Sequence, residues 1–358
     1  MKITYFNRPL AIGEDNLLNR DLMVEELAGE LEIYFPFQAR DLDNRLSREQ
    51  ILERINTPSA KRPYRVCFSP VSVLITPTTK QMSDFLADHV DICIGQESVK
   101  RMPRANYFRL PAWCLRLFGL FPSLEQIQAK IDELEALRKA NPFTRKEYMA
   151  CLTNKDNRFF AKGSLDIFTM IHGIDPYLKH LPIKFAGNYA HNDDRLAQVY
   201  QGDKLAYLQN FTFHLCPEQI NLHSVVSENL ALGLEAGCIP VYWGDLAEDK
   251  QYFNEKAMII YDVTRRSEIS TLFREVFLKQ QEFLQENIFL PQAANLIYRH
   301  IYAPIIAKLE LDLNMDLLAK IRSTEQKYRL KNFAQSMHPE AWVTFIENAN
   351  TYIEQVKK

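Results

Sequence analysis

The sequence predicts an α/β protein built from two doubly wound domains facing a cleft. Three observations carry that prediction. Apolar runs of strand length alternate with segments of helical periodicity. One amphipathic helix, over 124–140, interrupts the alternation, with Leu124, Ile127, Ile131, Leu134 and Leu137 at helical spacing. The chain has 358 residues, more than one ordinary domain holds. The expected division is residues 1–140, residues 141–295 and a helical C-terminal segment over 296–358. The amphipathic helix serves as a solvated connector in this reading.

In chain order, the first domain opens with strands over 3–6 and 33–35, separated by an acidic helix over 21–32. A second helix is expected over 47–55. Residues 65–68 and 71–76 read as core strands interrupted by Pro70. A turn and a short helix precede a strand over 90–94 that ends at Gly95, and the basic loop from Lys100 to Arg104 leads into 107–111. After Asn141 and Pro142 the pattern restarts with a strand over 148–152, a polar loop and a helix over 164–172. A strand over 183–186 then closes on Gly187. The loop over 188–194, NYAHNDD, is rich in polar groups, and residues 204–208 lead into the next apolar strand. Farther on come a strand over 257–261 and an amphipathic helix over 269–286. From 292 onward the chain reads almost entirely as helix, broken near Pro304 and Pro339.

Composition narrows the function classes. With 47% hydrophobic and 25% charged residues, the chain is an ordinary soluble globular protein. A net charge of −2 gives no electrostatic footprint for nucleic acid as the main partner. Glycine is scarce, at 11 residues, and neither G-x-G-x-x-G nor G-x-x-x-x-G-K-[ST] occurs, so the dinucleotide fingerprint and the P-loop are both unsupported. The six cysteines, Cys67, Cys93, Cys114, Cys151, Cys216 and Cys238, lie far apart and mostly in apolar runs. Buried reduced thiols are expected of them, rather than disulfides or a zinc site. The N-terminus lacks the apolar core of a signal peptide, and no apolar run reaches membrane-spanning length. A cytoplasmic location is the expectation. No carboxylate pair resembling D-x-D stands in a strand-end loop, so no metal is expected.

The most informative stretch is 211–245, FTFHLCPEQINLHSVVSENLALGLEAGCIPVYWGD. It reads as a strand over 211–216, a polar loop carrying Glu218 and His223, a helix over 227–236 and a second apolar strand over 239–243. Gly237 stands where a helix C-cap belongs. Apolar runs of this kind suit buried parallel strands, and the loop after the first strand is the usual ligand crevice of such sheets. Glu228, near the helix N-terminus, reads either as a capping-box carboxylate or as a ligand for ribose hydroxyls; Ser224 is one residue out of register for that box. Tyr242 and Trp243 read as sheet core before they read as sugar-stacking platforms, and His214 as a satisfied histidine.

These residues resemble the donor-binding core of the α-1,3-fucosyltransferases, particularly the bacterial ones. In that family a strand ends in C-F-E-N, a polar loop leads to Y-V-T-E-K, and the next strand closes as I-P-I-Y-W-G. Here the chain reads Cys216-Pro217-Glu218-Gln219, then Val225-Val226-Ser227-Glu228-Asn229, then Ile239-Pro240-Val241-Tyr242-Trp243-Gly244. The resemblance extends outward in the same order. Asp91-Ile92-Cys93-Ile94-Gly95 is similar to D-Y-A-I-G, and Tyr107-Phe108-Arg109-Leu110-Pro111 to Y-L-R-x-P. Arg145-Lys146-Glu147-Tyr148 through Thr153-Asn154 resembles K-F-x-x-x-x-S-N, and Asp203-Lys204-Leu205 resembles D-K-I. The matches cover about 90 to 260.

The resemblance implies a GT-B enzyme: two Rossmann-like domains facing a cleft, the N-terminal one on the acceptor side and the C-terminal one binding the donor nucleotide. Such an enzyme transfers a sugar, fucose from GDP-fucose in the family, to a glycan hydroxyl with inversion. Its partners are the nucleotide-sugar donor and a glycan acceptor, with peripheral membrane association through that acceptor, and it requires no cofactor. By the same resemblance Glu228 binds the donor ribose, Gln219 takes the donor-site place of the family's Asn, and Glu218 is the strand-end carboxylate. Arg109 and Tyr107 support the acceptor-side domain.

Two departures shape the expectation. The family's Tyr and Lys around its V-T-E are Val225 and Asn229 here, so another cation must meet the diphosphate; Arg158, Lys162, Arg195 and Lys204 are the candidates. The stretch 75–79, matched to the family's G-E-N, has no carboxylate. The proton of the acceptor hydroxyl then needs another acceptor, with Glu97, Asp84, His223 and the strand-end Glu218 as candidates. A nucleotide- or glycan-binding relative without catalysis, or a transferase using a different nucleotide sugar, is the alternative reading.

Overall fold

Two apolar-run patterns in the sequence become two parallel five-stranded sheets in the computed structural model. The structure describes residues 3–9, 31–37, 42–58, 62–119, 122–140, 147–153, 183–188, 191–218, 222–260 and 280–313. The chain divides into two units. The first comprises Met1–Pro111, Phe118–Gln128 and Ala294–Lys358, the second Ala112–Leu117 and Ala129–Ala293.

In the first unit, β1 (Ile3–Phe6), β2 (Leu31–Tyr34), β3 (Tyr64–Phe68), β4 (Ile92–Gly95) and β5 (Tyr107–Arg109) lie side by side in chain order, all parallel. Their near-continuous apolar runs reflect burial on both faces. Helix α1 (Arg48–Asn56) begins at the N-cap Ser47, which forms a reciprocal capping box with Gln50. Helix α2 (Pro77–Ala87) begins at the N-cap Thr76 with proline in its first turn, where the missing N–H costs nothing. Ile51, Met82 and Leu86 pack onto Phe6, Tyr34, Cys67 and Cys93 of the sheet. Each such side chain contributes roughly 1.5–3 kcal/mol when fully buried.

Two expectations in this unit change. Residues 71–76 do not form a strand: Val73–Ile75 is a 3₁₀ turn, because Ser72 caps it through the Leu74 N–H and Glu97 accepts the Val73 N–H. Glu32 does not end a helix but lies within β2, buried in the sheet, opposite Arg65 on β3. Arg65 and Arg54 both pair with its carboxylate, at 3.0 and 2.6 Å, and the Tyr34 hydroxyl donates to it. The remainder of that expected helix lies outside the described residues.

The second sheet is assembled from β6 (Glu147–Cys151), β7 (Ile183–Phe185), β8 (Phe211–Pro217), β9 (Ile239–Trp243) and β10 (Ile259–Ile260), in the order β10–β9–β8–β6–β7. All neighbours are parallel, and the winding reverses between β6 and β8. Helices α3 (Ala112–Phe118) and α4 (Leu124–Ala140) come before this sheet in the chain, and residues 204–208 form helix α5 (Lys204–Leu208), capped by Asp203. Helix α6 (Glu228–Glu235) buries Leu230, Ala231, Leu232 and Leu234, and Gly237 takes a positive φ of 68° just past its end. The helices expected over 164–172 and over most of 269–286 lie outside the described residues, except for a turn over Gln280–Gln285.

The amphipathic helix Leu124–Ala140 is not a solvated connector. Ile131 and Leu134 are buried in the second unit, and the guanidinium of buried Arg138 donates to the Ala257 and Phe283 carbonyls at 2.7 and 2.9 Å. Near Pro304 the C-terminal segment does not break. A π turn over Tyr298–Tyr302 absorbs the missing N–H, and helix continues through Ala303–Leu313. Within the first unit, Tyr64 donates to Asp312 at 2.7 Å and Tyr302 to the Gly119 carbonyl at 3.0 Å. Pro339 lies outside the described residues. All six cysteines are buried thiols. No helix of the described residues is long and apolar enough to cross a membrane.

Candidate functional site

Where a parallel sheet reverses its winding, the two flanking strands end in loops that diverge, and a crevice opens beyond their C-terminal ends. Here those strands are β6 and β8. Past β7, next to β6, Gly187 lies against the chain that follows β6: a Cβ there would come within 2.2 Å of the Thr153 carbonyl oxygen. Only glycine permits that approach. Past β8, the Glu218 N–H donates to the Trp243 carbonyl at 2.8 Å and extends the ladder by one bond.

The Glu218 side chain turns inward, 4% exposed, and its Oε1 accepts the Ser227 N–H at 2.8 Å. Ser227 is the N-cap of α6, and its hydroxyl accepts the Asn229 N–H. Gly244, just past β9, closes the other side. A Cβ there would sit 2.3 Å from the Tyr242 hydroxyl and 2.5 Å from Glu218 Cγ. Burial pushes the Glu218 carboxyl up to about 7; the Ser227 hydrogen bond and the Tyr242 hydroxyl oppose that rise, and Asp249 adds to it. Burial, and then Glu218, raise the Tyr242 phenol well above its ordinary range.

Three further groups stand at this end of the unit. His223 Nδ1 lies 3.1 Å from Asp245 Oδ2, both side chains about one-third exposed, while Asp245 Oδ1 accepts the Ala247 N–H at 2.7 Å. An imidazole held this way through Nδ1 has its Nε2 left for proton transfer or for an anion. Glu228 opens α6 with 53% of its side chain exposed, and Lys204 Nζ lies 3.9 Å from it. The N3 position of α6 is Leu230, so Glu228 is not the carboxylate of a capping box. Ser224 takes a left-handed conformation at φ 55°, which costs a non-glycine residue roughly 1–2 kcal/mol, and its hydroxyl accepts the Glu248 N–H. Strain of this kind concentrates at functional loops.

The structure thus brings Glu218, His223, Glu228 and Asn229 to one end of one unit, with Val225 buried in the turn beneath them. Gln219, Arg158 and Lys162 lie outside the described residues. Arg195 is elsewhere. It forms a two-pronged pair with Glu147 at 2.6 and 2.7 Å and also binds Asp193, whose carboxyl it holds well below the usual carboxylate range. Glu147 opens β6 opposite Phe211, so this cluster occupies the N-terminal end of the sheet, away from Glu218. His214 is core: burial lowers it to about 3, leaving it neutral, and its ring fills the space beside Gly233.

In the first unit, Glu97 is fully buried just past β4. One carboxylate oxygen accepts the Val73 N–H at 2.6 Å and the other faces the Tyr107 hydroxyl at 3.3 Å. Burial and the neighbouring Glu97 raise the Tyr107 phenol well above its ordinary value. A carboxylate enclosed in this way braces the turn over Val73–Ile75 and is not presented to solvent as a base. Arg109 donates through Nε to the Gln96 carbonyl at 3.3 Å. Sequence reasoning assigned no role to Asp245, Gly187 or Gly244; Gly187 carried a signal only as a glycine directly after an apolar strand, and Gly244 as the last residue of the motif Ile239–Gly244. Among the described residues, no group of three or more His, Cys, Asp or Glu is placed to hold a metal ion.

No family model and no curated protein matches the chain. Among solved structures, it is similar to an α1,3-fucosyltransferase at a TM-score of 0.50 and 12% identity, over 88% of this chain and 91% of that one. A structure of α1,3-fucosyltransferase with GDP-fucose gives 0.53 and 13% over the same shares. At such identity the likeness speaks to the fold, which is α/β of the GT-B type with two parallel Rossmann-like sheets.

Proposed function

We propose that this chain is a glycosyltransferase that takes a nucleotide-diphosphate sugar, GDP-fucose foremost, and transfers the sugar to a glycan hydroxyl with inversion. One observation carries the reading: Glu228, the glutamate of the fucosyltransferase-like motif, is an exposed carboxylate at the start of α6, beside the strand end where the sheet reverses. There it would accept hydrogen bonds from ribose hydroxyls, with Gln219 as a further donor-site residue. A helix N-terminus suits the diphosphate. The charge that the family places on a lysine, here Asn229, would come from Lys204, since Arg195 is committed to Glu147 and Asp193. Arg109 and Tyr107 belong to the acceptor side in this reading.

A binding protein without turnover is the second reading. The enclosure of Glu97 favours it, because that carboxylate has no access to an acceptor hydroxyl. A thermal-shift screen against GDP, UDP and CMP tests the donor: a nucleotide at 100 times its Kd stabilises by about 2.7 kcal/mol. GDP is expected to shift the melting temperature; a shift with UDP and none with GDP rejects the fucose donor. Nucleotide release from the sugar donor over a panel of glycan acceptors separates the two readings, with binding and no release favouring the second.

A further inference from the structure

We propose that Glu218 is the positioning residue that sets the first turn of α6, and that it does so in its ionised form, so that donor affinity falls as the group takes up a proton. The affinity part rests on the donor site proposed above; the positioning part does not.

The chain of contacts is short. Glu218 is fixed at both ends: its backbone N–H by the Trp243 carbonyl, and its carboxylate by the Ser227 N–H, each at 2.8 Å. Ser227 in turn holds the Asn229 N–H, and Glu228 stands between the two. Any shift of the Glu218 carboxylate therefore passes directly to the residue expected to grip the ribose. The side chain has little room to relax on the Gly244 side, where a Cβ would sit 2.5 Å from its Cγ. An anionic acceptor binds an amide roughly twice as strongly as a neutral one, so ionised Glu218 holds this turn tighter than protonated Glu218 does.

The titratable groups facing Glu218 are Tyr242 from β9, Asp249 from the turn Asp249–Gln251, and Cys216 from its own strand. Of these, Asp249 disfavours ionisation, and burial disfavours it most, whereas the Ser227 N–H and the Tyr242 hydroxyl support it. That balance puts the midpoint near neutrality, where a carboxylate in water would long since be ionised.

Two measurements test the proposal. In the unliganded full chain at pH 8, the protection factors of the Ser227 and Asn229 amides should fall at least tenfold in Glu218→Ala and by a smaller factor in Glu218→Gln, whose neutral amide oxygen still accepts the Ser227 N–H but holds it less tightly. Unchanged exchange in Glu218→Ala overturns the positioning role whatever the ligand proves to be. Should Glu218→Ala fail to fold, a fall in the protection factors of the same two amides in the wild type between pH 8 and pH 6, absent in Glu218→Gln, carries the decision. The second measurement is calorimetric titration with GDP. The wild type should lose affinity severalfold between pH 8 and pH 6 with a midpoint near 7, and Glu218→Gln should show a flat profile. Identical profiles in the two proteins overturn the protonation claim. If no nucleotide binds at all, the donor reading fails, and the exchange data still decide the role of Glu218.

Discussion

Glu97 and Glu218 occupy matching places, each just past the C-terminal end of a parallel strand and each buried, yet their surroundings make them different groups. Glu97 has its oxygens taken up by the Val73 N–H and the Tyr107 hydroxyl of its own unit, where the strands run in chain order without reversal. Glu218 lies beside a reversal, and its one strong donor, the Ser227 N–H, belongs to a helix start that also presents exposed Glu228. A buried carboxylate at a strand end therefore does not mark a site by itself. Glu218 differs in holding the turn that carries an exposed partner, at the sheet end where parallel α/β sheets commonly bind ligands.

The largest test of this contrast strikes a third acid, Glu32, which serves structure alone. Arg65→Met leaves its buried carboxylate with the half-exposed Arg54 and the Tyr34 hydroxyl, and removing one partner of a buried pair costs about 3–5 kcal/mol. The lower end is expected because Arg54 remains. Denaturant unfolding measures the loss, and the double variant Arg65→Met with Glu32→Gln should recover much of it. Full stability of the single variant would mean that Glu32 is not a desolvated charge in solution.

An effect of similar size is expected at Glu218, with a sign opposite to that of ordinary carboxylates. Burial holds the folded-state value near 7, above the ordinary 4.5, so the folded chain keeps a proton that the unfolded chain releases. Stability from this group is present in full below about pH 4.5 and is lost as pH rises toward 7, at no more than about 1.4 kcal/mol per pH unit. The difference in unfolding free energy between Glu218→Gln and the wild type should therefore grow by a few kcal/mol from pH 4.5 to pH 8, in favour of the variant. A difference independent of pH would place the carboxyl in water. The ionised form that orders α6 is thus the form the fold disfavours, a trade of stability against function.

How much of this was legible in the sequence depended on whether the cause was local. Strand β9 is a continuous apolar run and β8 is one but for Thr212 and His214, and α1 follows Ser47, so these elements are readable. Residues 71–76 look like a strand because Val, Leu and Ile have β propensity; the hydrogen bond that curls them comes from Glu97, more than 20 residues away in sequence. Glu32 misleads in the same manner, its partner Arg65 being on another strand. At the candidate site, the motif singles out Glu218 and Glu228, and the structure places both beside the start of α6. Arg195 was not placed correctly, since its pairing with Glu147 spans 48 residues and nothing local foretells it. Gly187 and Gly244 matter through what lies opposite them, which is purely tertiary.

The smallest structural effect should accompany the largest loss of binding. Glu228 is exposed, its only close charge is Lys204 at 3.9 Å among the described residues, and it caps nothing. Surface substitutions of this kind usually change stability by no more than about 0.5 kcal/mol. Glu228→Ala should accordingly melt like the wild type without ligand and lose the GDP-induced shift. Arg65→Met should behave in the reverse way, melting earlier yet still shifting with GDP wherever it is folded. An unchanged GDP shift in Glu228→Ala would remove this carboxylate from the donor site. It would also dissolve the contrast with Glu97, because the end of α6 would then hold no ligand for Glu218 to position.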